Sequence, residues 1–186
     1  MKLIKKIQSF LKAWLGCDKG PTVEDMKKLG MKMGENCLYD VSCNFDYSHC
    51  WLIEIGDNVT FGPMTYVLAH DASTKRYLGY TKIGRVTIDD GTFVGASSII
   101  MPGVHIGKDC VIGAYSVVTS DVPDESVFVG NPARFVCTTQ EYVEKQKKLM
   151  ENVPVYDESF TLGGGITEEK KQQMLEEMKN GKGFVI

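Results

Sequence analysis

The sequence predicts a mainly β chain wound as a parallel β-helix, and three observations predict it. Ile88, Val94, Ile100, Ile106, Ile112 and Val118 stand six residues apart, a period that belongs neither to an α-helix nor to a plain strand. It fits a chain that runs a short strand, turns a corner and begins the next strand, sending one aliphatic side chain inward each time. Small or branched residues recur four places after the ladder positions, at Thr92, Ser98, Val104, Cys110 and Ser116. Gly95, Gly107 and Gly113 directly follow three ladder residues, where the backbone is expected to bend without a Cβ in the way, and Pro102-Gly103 is a turn-forming pair. An antiparallel sheet of short strands would instead place apolar residues at the intervening even positions, where Asp90, Lys108, Ala96 and Ala114 stand.

Taken in order, residues 1–32 are expected to form an N-terminal helical segment. Lys2, Lys5 and Lys6 ahead of Phe10, Leu11, Trp14 and Leu15 resemble a secretory leader, and Gly16-Cys17 faintly resembles a lipoprotein cleavage site. Gln8 and Lys12 interrupt the apolar run, Trp14 stands where a lipoprotein signal has Leu, and the stretch is too short to span a bilayer. The expected structure is a retained amphipathic helix with Leu3, Ile7, Phe10, Leu11 and Trp14 on one face. Two placements fit that face: packing on the protein, or weak contact of residues 2–15 with an anionic membrane surface. Thr22 with Asp25 then caps a short helix that runs to Leu29 and stops at Gly30.

The β-helix domain is expected over residues 33–137. Its pattern begins weakly at Met33, Tyr39 and Phe45, breaks, and restarts ten residues later at Ile55, Phe61 and Val67. The break holds Asp46-Tyr47-Ser48-His49-Cys50-Trp51, which must bulge from the coil. A second interruption, a protruding loop over residues 71–87, carries Lys75, Arg76, Tyr77, Tyr80 and Lys82. Loops on a rigid scaffold are where binding and chemistry concentrate. After Val118 the coil closes through Asp121-Val122-Pro123 and Gly130-Asn131-Pro132-Ala133-Arg134. Residues 138–186 form a C-terminal helical extension: Thr138 and Glu141 make a capping box for a helix to about Met150, and a last helix runs from Thr167 to about Lys179. Gly163-Gly164-Gly165 between them is no phosphate loop, because no Lys-Ser/Thr follows and Glu168 and Glu169 would repel phosphate.

The net charge of −3 is unevenly spread. Residues 1–32 hold eight Lys against three acids, but the basic stretch is short and lacks interleaved aromatic platforms, which argues against a nucleic-acid partner. The six cysteines, at 17, 37, 43, 50, 110 and 137, form no CxxC and no paired metal-ligand spacing. They are expected to be reduced, mostly buried thiols in a cytoplasmic protein, and no metal site is expected.

Three histidines limit the acid–base candidates. His70 lies where the aliphatic run Val67-Leu68-Ala69 opens into the polar loop, and a neutral imidazole there could serve as a general base near pH 7. His105 is expected to point outward from a corner. His49, in the bulge, either lines a pocket or satisfies a local hydrogen bond. No Ser-His-Asp or Cys-His nucleophile assembles from the sequence order, so direct transfer with His70 as base is the economical mechanism.

Ile55-Gly56-Asp57-Asn58, Ala69-His70-Asp71, the run from Ile88 to Val118 and Gly130-Asn131-Pro132-Ala133-Arg134 together resemble the hexapeptide-repeat acyltransferases, in the branch of galactoside, maltose and capsule O-acetyltransferases. The resemblance covers residues 55–137 well and 33–54 weakly. It implies a left-handed parallel β-helix, against the usual right-handed crossover, a homotrimer with active sites between neighbouring subunits, and acetyl-CoA as donor. It further implies that His70 abstracts the proton of an acceptor hydroxyl on a sugar or polysaccharide precursor. Ala96 and Ala114 would border the pantetheine arm, Thr119 and Ser120 would lie further along it, and Arg134 would meet a CoA phosphate; Phe93 stands where relatives often carry a Trp. Asp46 and Tyr47 resemble an acidic feature near the acceptor pocket, although an Asx turn accounts equally for Asp46. Residues 1–32 differ in length and pattern from the opening of the sugar-specific branch, which favours a glycan precursor or another hydroxylated metabolite over free galactose or maltose. Two rivals use the same fold: a trimeric scaffold without chemistry, and a γ-class carbonic anhydrase with zinc on three histidines, which requires a second histidine close to His70 and finds none in the sequence order.

Overall fold

The computed structural model describes residues 21–179 and 181–186, so the amphipathic helix expected at residues 2–15 lies outside the described residues. Within them the chain forms two compact units, one ending at Val136 and one spanning Cys137–Ile186.

The first unit is a coil of short parallel strands with three sides. One side stacks Lys32–Met33, Ile53–Ile55, Val86–Ile88 and His105–Ile106. The second stacks Leu38–Tyr39, Thr60–Phe61, Phe93–Val94, Val111–Ile112 and Ser126–Val129. The third stacks Asn44–Phe45, Tyr66–Val67, Ile99–Ile100 and Val117–Val118. Parallel pairing sets Ile88 beside Ile106, Val94 beside Ile112 and Ile100 beside Val118, so the six-residue ladder becomes three columns of aliphatic side chains. All six ladder residues are at most 1% exposed. The residues four places on are buried too: Thr92 and Ser98 each donate a hydroxyl to a carbonyl of a neighbouring coil, Gly107 at 2.8 Å and Gly113 at 2.9 Å. Those bonds let polar side chains sit inside the column without unpaired groups.

A Cβ would be in the way at these glycines, and the obstacle is the next coil. Gly95 and Gly107 do not adopt left-handed backbone; a Cβ on Gly95 would meet the backbone nitrogen of Ala114 at 2.4 Å, and one on Gly107 that of Asp124 at 2.6 Å. Close stacking of successive coils excludes the side chain. Left-handed backbone falls two residues later in the same corners, at Ser97 (φ 59), Asp109 (φ 51) and Tyr115 (φ 58).

Both interruptions of the ladder leave from the same corner, between the third side and the first. Asp46 N donates to Val67 O and Leu68 N to Ile100 O, so residues 46 and 68 are stacked equivalents in successive coils. The first excursion is a short helical segment, Tyr47–Leu52, broken at His49 (φ −137, ψ 33). The second is shorter than the expected 71–87. Gly84 N donates to Ala69 O at 3.0 Å and closes its base, and Val86–Ile88 already belongs to the parallel sheet. Its stem is the antiparallel pair His70–Asp71 with Lys82–Ile83, and Lys82 Nζ lies 2.6 Å from Asp71 Oδ2. The Lys82 contact, with help from Ser73, holds the Asp71 carboxyl down at about 2.

The short helix Val23–Lys28 carries the capping box of Thr22 and Asp25, and buries Val23 and Met26 against the coil core. In the second unit, Thr138 and Glu141 cap the helix Thr139–Met150, Thr167 caps Glu168–Glu177, and the strands Val155–Tyr156 and Phe184–Val185 pair in parallel. Among the described residues no helix is long and apolar enough to cross a membrane. Five cysteines are described, all free: Cys50 and Cys110 are buried, whereas Cys37, Cys43 and Cys137 are only partly so.

Replacing a ladder residue leaves a void that the closely stacked coils cannot collapse into. Ile100→Ala should lower unfolding free energy by about 2–5 kcal/mol in urea titrations, whereas Lys108→Ala, at an exposed ion pair, should change it by no more than about 0.5 kcal/mol.

Candidate active site

The two excursions bring Asp46, Ser48, His49 and His70 together. Asp46 leaves the core directly after buried Phe45, and its side chain is 3% exposed, whereas that of His70 is 36% exposed. Both Asp46 oxygens are engaged inside the chain. Oδ1 accepts from Ser48 N at 3.1 Å and from Ser48 Oγ at 2.7 Å; Oδ2 accepts from Ala69 N at 3.0 Å and from His70 Nδ1 in a short contact. Burial pushes the Asp46 carboxyl up, but the bonds from Ser48 and His70 outweigh it and hold the group below the usual carboxylate range. An ionised carboxylate only accepts, so the shared proton belongs to His70 Nδ1 and the lone pair to Nε2.

The bulge therefore contains the Asx turn, and Asp46 faces His70. Tyr47 is half exposed on the bulge. His49 lies with its ring centroid 5.2 Å from that of His70 and 5.4 Å from that of Trp51, which is itself half exposed. The sequence-based expectation that His70 has no histidine neighbour is thereby overturned. His105 lies in a strand, not a corner, and its Nε2 is 2.8 Å from Asp89 Oδ2.

The residues expected to line a CoA arm fall at different corners. Ala96 and Ala114 follow strands of the second side in successive coils, with Tyr115 N donating to Ala96 O at 2.9 Å. Thr119 and Ser120 follow the last strand of the third side, at the corner that also carries His70, and both are exposed. Arg134 is exposed and its guanidinium folds back onto the Ala133 carbonyl at 2.9 Å. Phe93 is partly exposed on the second side.

The pairing of Asp46 with His70 escaped the sequence reading, which treated the two interruptions separately. The signal was there: stacking Phe45 beside Val67 places position 46 next to position 68, two residues from His70. Nothing in the residue pattern foretold where the irregular turn would carry His49.

Residues 85–120 match the model of the bacterial transferase hexapeptide repeat, six repeats. YvoF of Bacillus subtilis, provisionally named an acetyltransferase, is 36% identical over 66% of this chain and 69% of its own. The Galactoside O-acetyltransferase of Lactococcus lactis is 33% identical over 59% of this chain and 64% of its own. A crystal structure of a maltose O-acetyltransferase from Clostridium difficile superposes with a TM-score of 0.50 at 28% identity, covering 62% of this chain and 73% of that one. The chain belongs to the hexapeptide-repeat acetyltransferase family.

Proposed function

We propose that the protein transfers an acetyl group from acetyl-CoA to a hydroxyl of a sugar or polysaccharide precursor. The observation that carries this reading is the Asp46–His70 pair at the mouth of the 70–83 loop, with a buried carboxylate on Nδ1 and Nε2 left as the proton acceptor. The names of the relatives, a galactoside and a maltose O-acetyltransferase among them, support the reaction class.

In this mechanism His70 Nε2 takes the proton of the acceptor hydroxyl as its oxygen attacks the thioester carbonyl. The tetrahedral oxyanion collapses, the C–S bond breaks, and the imidazolium returns the proton to the departing CoA thiolate. Asp46 fixes the ring orientation and tautomer and stabilises the imidazolium that forms between the two steps. Asp46 is thus a positioning residue for His70. Tyr47 and Trp51, exposed on the same bulge, are placed to meet the acceptor.

We further propose a left-handed coil that assembles as a cytoplasmic homotrimer. Within one chain, Ala96 and Ala114 lie at a corner other than the one that carries His70, Thr119 and Ser120. One acetyl-CoA could contact both sets if a neighbouring subunit supplied the second corner, with Arg134 beside a phosphate.

Steady-state release of CoA thiol, with candidate sugars as acceptors, tests the chemistry. His70→Ala should lower kcat by about 10²–10⁴-fold while still binding acetyl-CoA, and Asp46→Asn should lower kcat by at least about tenfold with little change in KM for acetyl-CoA. Turnover that survives His70→Ala would remove the base assignment, and a wild type that fails to bind acetyl-CoA would favour a scaffold without chemistry. Sedimentation velocity should show a trimer; a stable monomer would rule out the shared site.

A further inference from the structure

Asp46, His49 and His70 each place one metal-ligating atom within 4.8 Å of the others. Asp46 Oδ1, His49 Nδ1 and His70 Nδ1 surround one point. Ser48 Oγ lies 2.7 Å from Asp46 Oδ1, 3.0 Å from His49 Nδ1 and 3.2 Å from His70 Nδ1. A hydroxyl with one carboxylate oxygen and two imidazole nitrogens around it occupies the centre that a small cation would take. Two imidazoles and a carboxylate, with a fourth position open to water, are a zinc donor set. With bonds of about 2.0–2.1 Å a tetrahedral ion needs its ligand atoms about 3.3 Å apart, so the side chains must close in by roughly an ångström. Ser48 is exposed, and rotation of its hydroxyl into solvent frees the centre.

The geometry points to a zinc site formed by Asp46, His49 and His70 that switches the enzyme off. The inhibition rests on the assignment of His70 as base; the binding does not. Coordination through Nδ1 requires a neutral His70 to carry its proton on Nε2, the atom that must take the acceptor's proton. Zinc therefore exchanges one tautomer for the other: Asp46 gives up the imidazole N–H for the metal, and the base loses its lone pair without any net gain or loss of protons by the ring. Inhibition should then appear in kcat and leave KM for acetyl-CoA unchanged.

Calorimetric titration of metal-free full-length protein with zinc chloride tests the site. The wild type should bind one zinc per chain at this position. His49→Ala should weaken that binding by at least about tenfold, whereas His105→Ala, which removes the other histidine–carboxylate pair, should leave it unchanged. Equal zinc binding in wild type and His49→Ala would overturn the site. In turnover assays, zinc should depress the wild-type kcat, a chelator should restore it, and His49→Ala should need at least about ten times more zinc for the same fractional inhibition. Undiminished kcat in the zinc-loaded wild type would overturn the switch. Absence of turnover in the metal-free wild type would count against acetyl transfer, while the titration would still report on the zinc site.

Discussion

Parallel backbone pairing between successive coils is the constraint on which everything else rests. Stacked strands lie only about 4.8 Å apart, so each coil packs directly on the next and each corner must turn within a few residues. Gly95 and Gly107 exist because the next coil's backbone lies against them, and Thr92 and Ser98 because a buried corner needs its carbonyls satisfied. Extra residues cannot be absorbed inside such a column. They must leave at a corner, and here both excursions leave at the same one.

That shared exit converts a rigid column into a site. Two segments distant in sequence emerge one above the other, so a carboxylate from the lower excursion reaches an imidazole at the foot of the upper one. The coil holds both roots: Asp46 N donates to Val67 O, and Asp46 Oδ2 accepts from Ala69 N. Orientation of His70 is therefore set by the stacking register itself. The antiparallel stem and the Asp71–Lys82 ion pair fix the loop that begins at the same residue.

Much of this was legible in the sequence, and for identifiable reasons. The ladder from Ile88 to Val118 is regular, so its period named the architecture, and the helix caps at Thr22 and Thr138 announced themselves by residue type. The loop's end was misjudged because polar Thr87 interrupts the apolar pattern, although Val86–Ile88 pairs with Ile53–Ile55. The partner of His70 was missed because contacts between coils depend on register across the break at residues 46–52, where the period no longer guides the count. His49 was undecidable for a related reason, since its non-helical backbone sets the ring beside His70 and no local pattern encodes that turn.

The central claim is that a buried, ionised Asp46 holds the proton of the neutral His70 ring on Nδ1 and leaves Nε2 free. Nitrogen-15 NMR of histidine-labelled protein, with the His70 signals assigned by comparison with His70→Ala, reads this directly. A protonated, pyrrole-type Nδ1 and an unprotonated, pyridine-type Nε2 are predicted. A neutral His70 ring with its proton on Nε2 would contradict the account.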